Sequence, residues 1–353
     1  MKKHNFSAGP SILPQEVFEK TASAVLDFNG MGLSILEISH RSAAFLSVIE
    51  QARALTLELA GLNHDYEVLL LHGGASTQFL SVAYNLLNKK AAYINTGTWS
   101  DKAIKEAQAF GEVVVVASSK ADGYRYIPKT FSVPKDADYL HITTNNTIYG
   151  TQYQTIPDTQ VPLVADMSSD IFSRTLDYSK FSLIYAGAQK NLGASGVAMV
   201  IVKKDILGKV HRHIPSILDY QNQIKNESMF NTPATFAVYV NLLTLQWIKE
   251  QGGLQGMETK NQAKKTLLYT EVDRNPLIKG YAQKEDRSWM NVVFNLTDEN
   301  MTSLFDDLCK QANISGIKGH RSIGGYRASI YNAMPIESVK VLVEVMQEFE
   351  RKA

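Results

Sequence analysis

The sequence predicts an α/β protein, a mostly parallel central sheet flanked by helices, followed by a smaller α+β C-terminal domain. Three observations lead there. Short, nearly unbroken Val/Ile/Leu runs alternate with amphipathic helical segments from about residue 45 to 250, as a sheet covered on both faces requires. The stretch Gln251-Gly252-Gly253-Leu254-Gln255-Gly256 interrupts that rhythm, and a different pattern follows it. At 353 residues the chain also exceeds a single module at ~100–200 residues per domain. The expected division is an N-terminal arm over 1–14, a large domain over 15–255 and a small domain over 256–353.

The elements follow in order. Val68-Leu69-Leu70-Leu71 reads as a buried strand, followed by a Gly-rich turn and a helix over Gln78–Leu87. Ala91–Asn95 is the next strand, Ser100–Phe110 a helix and Glu112–Ala117 a strand again. Tyr139–Thr143, Val161–Asp166, Leu183–Ala186 and Val197–Val202 continue the series. Past the joint, Met290–Leu296 alternates, with Met290, Val292, Phe294 and Leu296 on one side. Thr302–Ala312 is helical, with Leu304, Phe305, Leu308, Cys309 and Ala312 on one face. Tyr326–Tyr331 alternates again and sets Arg327 on the side opposite Ala328 and Ile330. A last helix turns Val339, Leu342, Val343, Met346 and Phe349 inward.

Composition excludes several functions. Lys plus Arg is 36 and Asp plus Glu is 35, so there is no basic excess with which to coat a polyanion. A single cysteine, Cys309, permits no intramolecular disulfide and no thiolate metal cluster. That count fits a reducing, cytoplasmic compartment. Met1-Lys2-Lys3 leads into no apolar core, so a secretory leader is not expected. The apolar runs are strand length, short of the ~20 residues a membrane helix needs.

The most informative segment is Leu183-Ile184-Tyr185-Ala186-Gly187-Ala188-Gln189-Lys190-Asn191-Leu192-Gly193. A buried strand runs into a turn with Lys190 at its apex, and small neighbours let a flat ligand approach it. An amine against apolar walls loses part of its preference for the charged form and becomes nucleophilic toward carbonyls. Taken alone, a surface turn lysine accounts for the segment equally well. Asp166 ends a strand one strand–turn–strand unit earlier and belongs at the same carboxyl edge of a parallel sheet, where ligands bind. There a carboxylate can pair with a protonated ring nitrogen; its local alternative is a cap on the Ser168-Ser169 turn. In His72-Gly73-Gly74-Ala75-Ser76-Thr77, a glycine turn opens a helix whose free N–H groups favour an anion, with the Ser76 and Thr77 hydroxyls as added donors.

Together these segments resemble the phosphoserine aminotransferases, in the class V group of fold-type I enzymes that depend on pyridoxal 5′-phosphate. The match rests on Asn5-Phe6-Ser7-Ala8-Gly9-Pro10, Glu37-Ile38-Ser39-His40-Arg41, Tyr185–Asn191, Pro215-Ser216-Ile217-Leu218-Asp219-Tyr220, Met229-Phe230-Asn231-Thr232-Pro233 and Lys318-Gly319-His320-Arg321 through Arg327–Ala333. It spans nearly the whole chain. The resemblance implies that Lys190 holds the cofactor as a Schiff base, one per subunit, and that Asp166 pairs with the pyridine nitrogen. Trp99 would stack on the ring, Thr147 would bond its oxygen, and Ala75, Ser76 and Gln189 would hold the phosphate. Asn231 and Thr232 would reach that phosphate from a second subunit, which implies a homodimer with shared sites. Arg327 would anchor the substrate's α-carboxylate. His40, Arg41, His320 and Arg321 would receive its phosphate or the donor's side-chain carboxylate, in part across the dimer interface. The implied reaction is transamination of 3-phosphohydroxypyruvate by glutamate; 4-phosphohydroxy-L-threonine of pyridoxine synthesis comes with the resemblance as a second, open expectation. Ser76 stands where some relatives carry arginine, and Ala8 replaces a serine near the substrate.

Local readings stand beside these. Trp99 alone is a packing tryptophan, Asn-Thr-Pro alone a helix start, and each arginine alone a solvated charge. A cysteine desulfurase needs an exposed, reactive thiol, whereas Cys309 falls on an apolar helix face. A non-catalytic anion-binding protein has no use for both Lys190 and Asp166. The pair His211 and His213 lies in a basic segment without neighbouring acids and reads as solvated surface, with no metal expected.

Overall fold

The computed structural model describes residues 3–353; Met1 and Lys2, which begin the expected arm, lie outside the described residues. The first part of the chain runs β1 (His4–Asn5), α1 (Gln15–Leu26), α2 (Ala43–Ala60), β2 (Tyr66–His72), α3 (Gly74–Leu86), β3 (Lys90–Asn95), α4 (Thr98–Ala107), β4 (Glu112–Ser118) and β5 (Tyr139–Thr143). A two-strand ribbon, β6 (Asn145–Asn146) and β7 (Thr151–Gln152), precedes β8 (Leu163–Asp166), β9 (Leu183–Gly187) and β10 (Val197–Lys203). Then come α5 (Tyr220–Lys225), α6 (Thr235–Glu250), α7 (Gly253–Arg274), β11 (Ile278–Gly280), β12 (Asn291–Leu296), α8 (Thr302–Gln311), β13 (Ile314–Ser315), β14 (Tyr326–Ser329) and α9 (Ile336–Lys352).

The buried runs assemble into a seven-stranded sheet in the order β2-β10-β9-β8-β5-β3-β4. The pairs from β9 to β4 are parallel, whereas β10 runs antiparallel to both neighbours. The connection explains the exception. A parallel crossover takes about a dozen residues or more, and only residues 188–196 separate β9 from β10. The strand must return directly across the turn that carries Lys190. Every other strand of this sheet ends at one common edge.

Apolar side chains cover both faces. One core joins α2, α6 and one sheet face through residues such as Phe45, Ile142, Ile184 and Leu245. A second, on the opposite face, packs Phe79, Tyr93, Tyr139, Tyr185 and Val200 against α3 and α4. A third, separate core lies in the last part of the chain, where the β11-β12-β14 sheet packs against α7, α8 and α9. Phe305 is its hub, in edge-on contact with Phe294, Tyr326 and Phe349. Phe6 and Ile12 of the N-terminal segment are buried in this same core, and β1 pairs with β13.

Two local structures differ from expectation. The helix after β2 begins at Gly74 rather than near Gln78, because Gly73 at φ +98° makes the turn by itself and leaves the following N–H groups at a helix start. The joint at 251–256 is a single tight turn at Gly252 (φ +93°) between two long helices. α7 then sends Met257 into the first core and Leu268, Tyr269 and Val272 into the third, so this helix is shared between them. No helix among the described residues is long and apolar enough to cross a membrane.

Truncating Phe305 removes the shared partner of three rings. Phe305→Ala is expected to lower unfolding free energy by about 3–5 kcal/mol, read from denaturant unfolding. A loss under 1 kcal/mol would show that this core repacks freely.

Candidate active site

The carboxyl ends of β2, β3, β5, β8 and β9 converge on a cavity of about 360 Å³, the place where open α/β sheets receive ligands. Asp166, the last residue of β8, lies between Thr143 of β5 and Tyr185 of β9 in the ladder. Its carboxyl is buried and accepts the Ser168 N–H at 2.9 Å, so the turn cap and the cavity-facing acid are the same group. Burial raises its pKa, opposed by the Ser168 hydrogen bonds and the charge of Lys190.

Lys190 enters the cavity from the β9–β10 turn and donates to Thr147 Oγ1 at 2.9 Å. Burial lowers its pKa to about 8; Asp166 pulls in the opposite sense, and Arg327 adds to the lowering. The N-terminal segment braces the turn. Ser11 N–H donates to the Gln189 carbonyl at 3.0 Å and Ser11 Oγ to the Lys190 carbonyl at 2.9 Å. Gly9, at φ +148°, lies against the lysine stem, where a Cβ would sit in ordinary contact 3.4 Å from Lys190 Cγ, so its backbone conformation rather than lack of space favours glycine.

The glycine turn forms the cavity's second wall. A Cβ on Gly73 would fall 2.1 Å from Thr77 Oγ1, which makes glycine obligatory there. Gly74, Ala75 and Ser76, the first residues of α3, line the cavity, and helix-start N–H groups are ready anion donors. Thr77 is not one of these donors: its hydroxyl turns back to the Gly73 carbonyl at 3.1 Å. Three buried polar atoms around the cavity, Trp99 Nε1, Thr143 Oγ1 and Arg327 Nε, find no hydrogen-bond partner among the described residues. A low-pKa amine, a buried carboxylate, an anion-ready helix start and unmet donors suit a flat, anionic, carbonyl-bearing heterocycle.

The class V aminotransferase family model matches residues 3–342. The chain belongs to the class V aminotransferases. It is 64% identical to the phosphoserine aminotransferase of Flavobacterium johnsoniae, with 100% of each chain covered. Among solved structures it is similar to the phosphoserine aminotransferase of Bacillus circulans subsp. alkalophilus, with TM-score 0.97, 44% identity and 99% of each chain covered. It is also similar to the PLP-bound phosphoserine aminotransferase of Trichomonas vaginalis, with TM-score 0.93, 35% identity, and coverage of 98% of this chain and 100% of that one.

In this class V aminotransferase, Ala75, Ser76, Trp99, Thr147, Asp166, Gln189, Lys190, His320 and Arg327 all line the one cavity. Arg327 extends from β14 toward the Thr147 carbonyl, 3.5 Å away, and burial lowers its pKa. His320 sits in the turn before β14, and its imidazole contacts Ser322 Oγ at 2.7 Å. Its pKa is lowered by burial, then by Arg327, Arg321 and Lys102. Arg321 is exposed beside it, outside the cavity lining. His40, Arg41, Asn231 and Thr232 are not brought to this cavity: Arg41, Asn231 and Thr232 are exposed and His40 is half-buried. Asn231 lines a neighbouring hollow beside Gly73, and the Thr232 carbonyl contacts His72 Nε2 at 2.8 Å.

Asn145 is a cavity residue that sequence reasoning missed. It bonds Ser169 and Asn291 at 2.8 Å each and accepts from Ser288 at 2.5 Å, tying the cavity floor to β12. The polar run Thr143–Thr147 directly after a buried strand was the available signal. Cys309 is buried, and burial raises its thiol to about 12, far from a reactive thiolate. His211 and His213 are exposed, and no group of three or more metal-ligating side chains occurs among the described residues.

The lowered pKa of Lys190 sets a pH dependence. A neutral amine forms imines and an ammonium does not, so capture of added pyridoxal 5′-phosphate by apoprotein accelerates with pH and levels off above about 8. Stopped-flow absorbance checks this; an inflection near the ordinary lysine value of 10.5 would show an amine not perturbed by burial.

Proposed function

We propose that this chain is a pyridoxal 5′-phosphate-dependent phosphoserine aminotransferase, converting 3-phosphohydroxypyruvate and L-glutamate to O-phospho-L-serine and 2-oxoglutarate in serine biosynthesis. The observation that carries the reading is the meeting of Lys190, Asp166 and the α3 N-terminus in one cavity, within a chain 64% identical over its full length to a phosphoserine aminotransferase.

When bound, pyridoxal 5′-phosphate supplies an aldehyde for the lysine and an electron sink for deprotonation at the amino acid's α-carbon. Lys190 Nζ would take that α-proton and deliver it to the cofactor's C4′ carbon; an amine with pKa about 8 is suited to both directions near neutrality. Thr147 Oγ1 holds the amine in place. The Asp166 carboxylate keeps a proton on the heterocycle's nitrogen, and its own position is locked by the Ser168 N–H. The first turn of α3, with Gln189, holds the cofactor phosphate, and Trp99 covers the ring. Arg327 receives the α-carboxylate common to both amino acids, since a planar guanidinium can give it paired N–H bonds. His320 and Arg321 receive the substrate phosphate, or the distal carboxylate of glutamate in the other half-reaction.

The proposed assembly is a homodimer in which His40, Arg41, Asn231 and Thr232 complete the partner's site. The exposed Met31, Leu33, Leu36 and Leu46, close in sequence to His40 and Arg41, support it, since large apolar side chains left at the surface are what a contact face would cover. A cytoplasmic location accords with one free, buried cysteine. The arm over 1–14, large domain over 15–255 and small domain over 256–353 are proposed as the working division, with α7 packed into both cores.

The test is spectroscopic and chemical. The purified holoprotein should absorb as an imine, bleach with glutamate and form phosphoserine on addition of 3-phosphohydroxypyruvate. Lys190→Ala should lose at least ~10²-fold in turnover and no longer be trapped by borohydride. Bleaching without phosphoserine would reject the substrate; wild-type turnover by the variant would reject the mechanism.

A further inference from the structure

Lys264, on α7, is one of the most deeply buried cations in the chain, 1% exposed, yet it lies outside the cavity and belongs to no ion pair among the described residues. Its ammonium faces three main-chain carbonyls, Ile330 at 3.0 Å, Tyr331 at 2.6 Å and Asn332 at 3.5 Å. An ammonium has three N–H donors, and here each has a carbonyl in reach. Burial, with a smaller contribution from Lys260, lowers its pKa to about 7. An aliphatic side chain of the same length would fill the space without burying a charge, so packing alone does not explain this residue.

The carbonyls it holds follow β14 directly, and β14 carries Arg327. The same short segment is tied to the catalytic turn. The Asn332 N–H donates to Asn191 Oδ1 at 3.1 Å, next to Lys190, and Asn332 Nδ2 donates to the Phe172 carbonyl at 2.9 Å. Asn261, one helical turn before Lys264, donates to Asn332 Oδ1 at 2.8 Å and to the Ser173 carbonyl at 2.7 Å. The Tyr331 hydroxyl reaches the Ala8 carbonyl at 2.7 Å, in the arm that covers Lys190. One buried amine thus fastens the junction of the guanidinium strand, the lysine turn and the arm.

We infer that Lys264 is a positioning residue for the reaction: by holding the three carbonyls after β14, it sets where Arg327 stands relative to Lys190. The inference rests on the assignment of Arg327 to the substrate α-carboxylate. Misplacing a binding group by about 1 Å can cost up to ~10²-fold, and glutamate and 3-phosphohydroxypyruvate both present that carboxylate.

The test compares holoenzyme carrying Lys264→Met or Lys264→Gln with wild type. Both KM values should rise about tenfold in Lys264→Met, with kcat changing less. Inhibition by inorganic phosphate should change less than either KM, because the His320 turn is bonded to the start of β14 through Gly319–Gly325 and Arg327–Ile317 and not to Lys264 itself. Amide exchange over residues 330–334 should accelerate while that of the central sheet does not. Lys264→Gln, with amide donors for the carbonyls, should recover part of the loss. KM values within twofold of wild type, phosphate inhibition weakening in parallel with KM, or failure of both variants to fold would overturn the inference and leave Lys264 a folding residue. Arg327→Lys separates the two claims. If it leaves both KM values unaltered, the carboxylate assignment falls; if it raises them and Lys264→Met does not, only the inference falls.

Discussion

The structure depends on keeping one amine and one carboxylate together in a place that penalises both charges. Burial raises the Asp166 pKa and lowers that of Lys190, while each charge favours the other's ionised form. A buried pair of this kind is poor value for stability, and its use is chemical. The sheet supplies the geometry: β8 ends in the acid, β9 runs on into the lysine turn, and their parallel register brings both to the same edge. The antiparallel β10 follows from the same arrangement, since a strand returning at once is what makes the turn tight enough to aim Lys190 inward.

Closing the cavity falls to the other end of the chain. The N-terminal segment is anchored in the third core through Phe6 and Ile12, and between these two anchors it touches the lysine turn, where Ser11 bonds the carbonyls of Gln189 and Lys190. Between the cores runs a polar seam in which Asn145 bonds Asn291, and Asn291 bonds Ser329 and the Tyr331 hydroxyl at 3.0 and 3.2 Å. A fully connected buried network specifies one relative placement, whereas apolar contact tolerates sliding. Arg327 projects from that seam into the cavity, so its position depends on side chains far from it in sequence.

What the sequence makes legible follows from how local each signal is. The strands are visible because burial on both faces demands unbroken apolar runs, and Tyr139–Thr143 has the same bounds in both readings. Lys190 and Asp166 stand out because strand ends point to the ligand edge. Thr77 misled because a hydroxyl beside a glycine turn reads as a donor to ligand, yet Gly73 leaves room for it to fold back. His40, Arg41, Asn231 and Thr232 rest on the family resemblance; no local pattern in this chain marks them as binding residues, and the fold does not bring them to this cavity. Lys264 is the most hidden. Nothing in the sequence singles it out, and only the fold shows that Ile330, Tyr331 and Asn332 present their carbonyls there.

Arg327 and His320 line the cavity, and Arg321 and Lys102 act on His320 from beside it. Arg327 is held by burial below its ordinary pKa with Nε unmet, and Lys102 lies over the Trp99 ring at 4.7 Å. Burial and these cations together favour the neutral form of His320. An arriving anion reverses the electrostatic part of that balance, since negative charge stabilises the imidazolium.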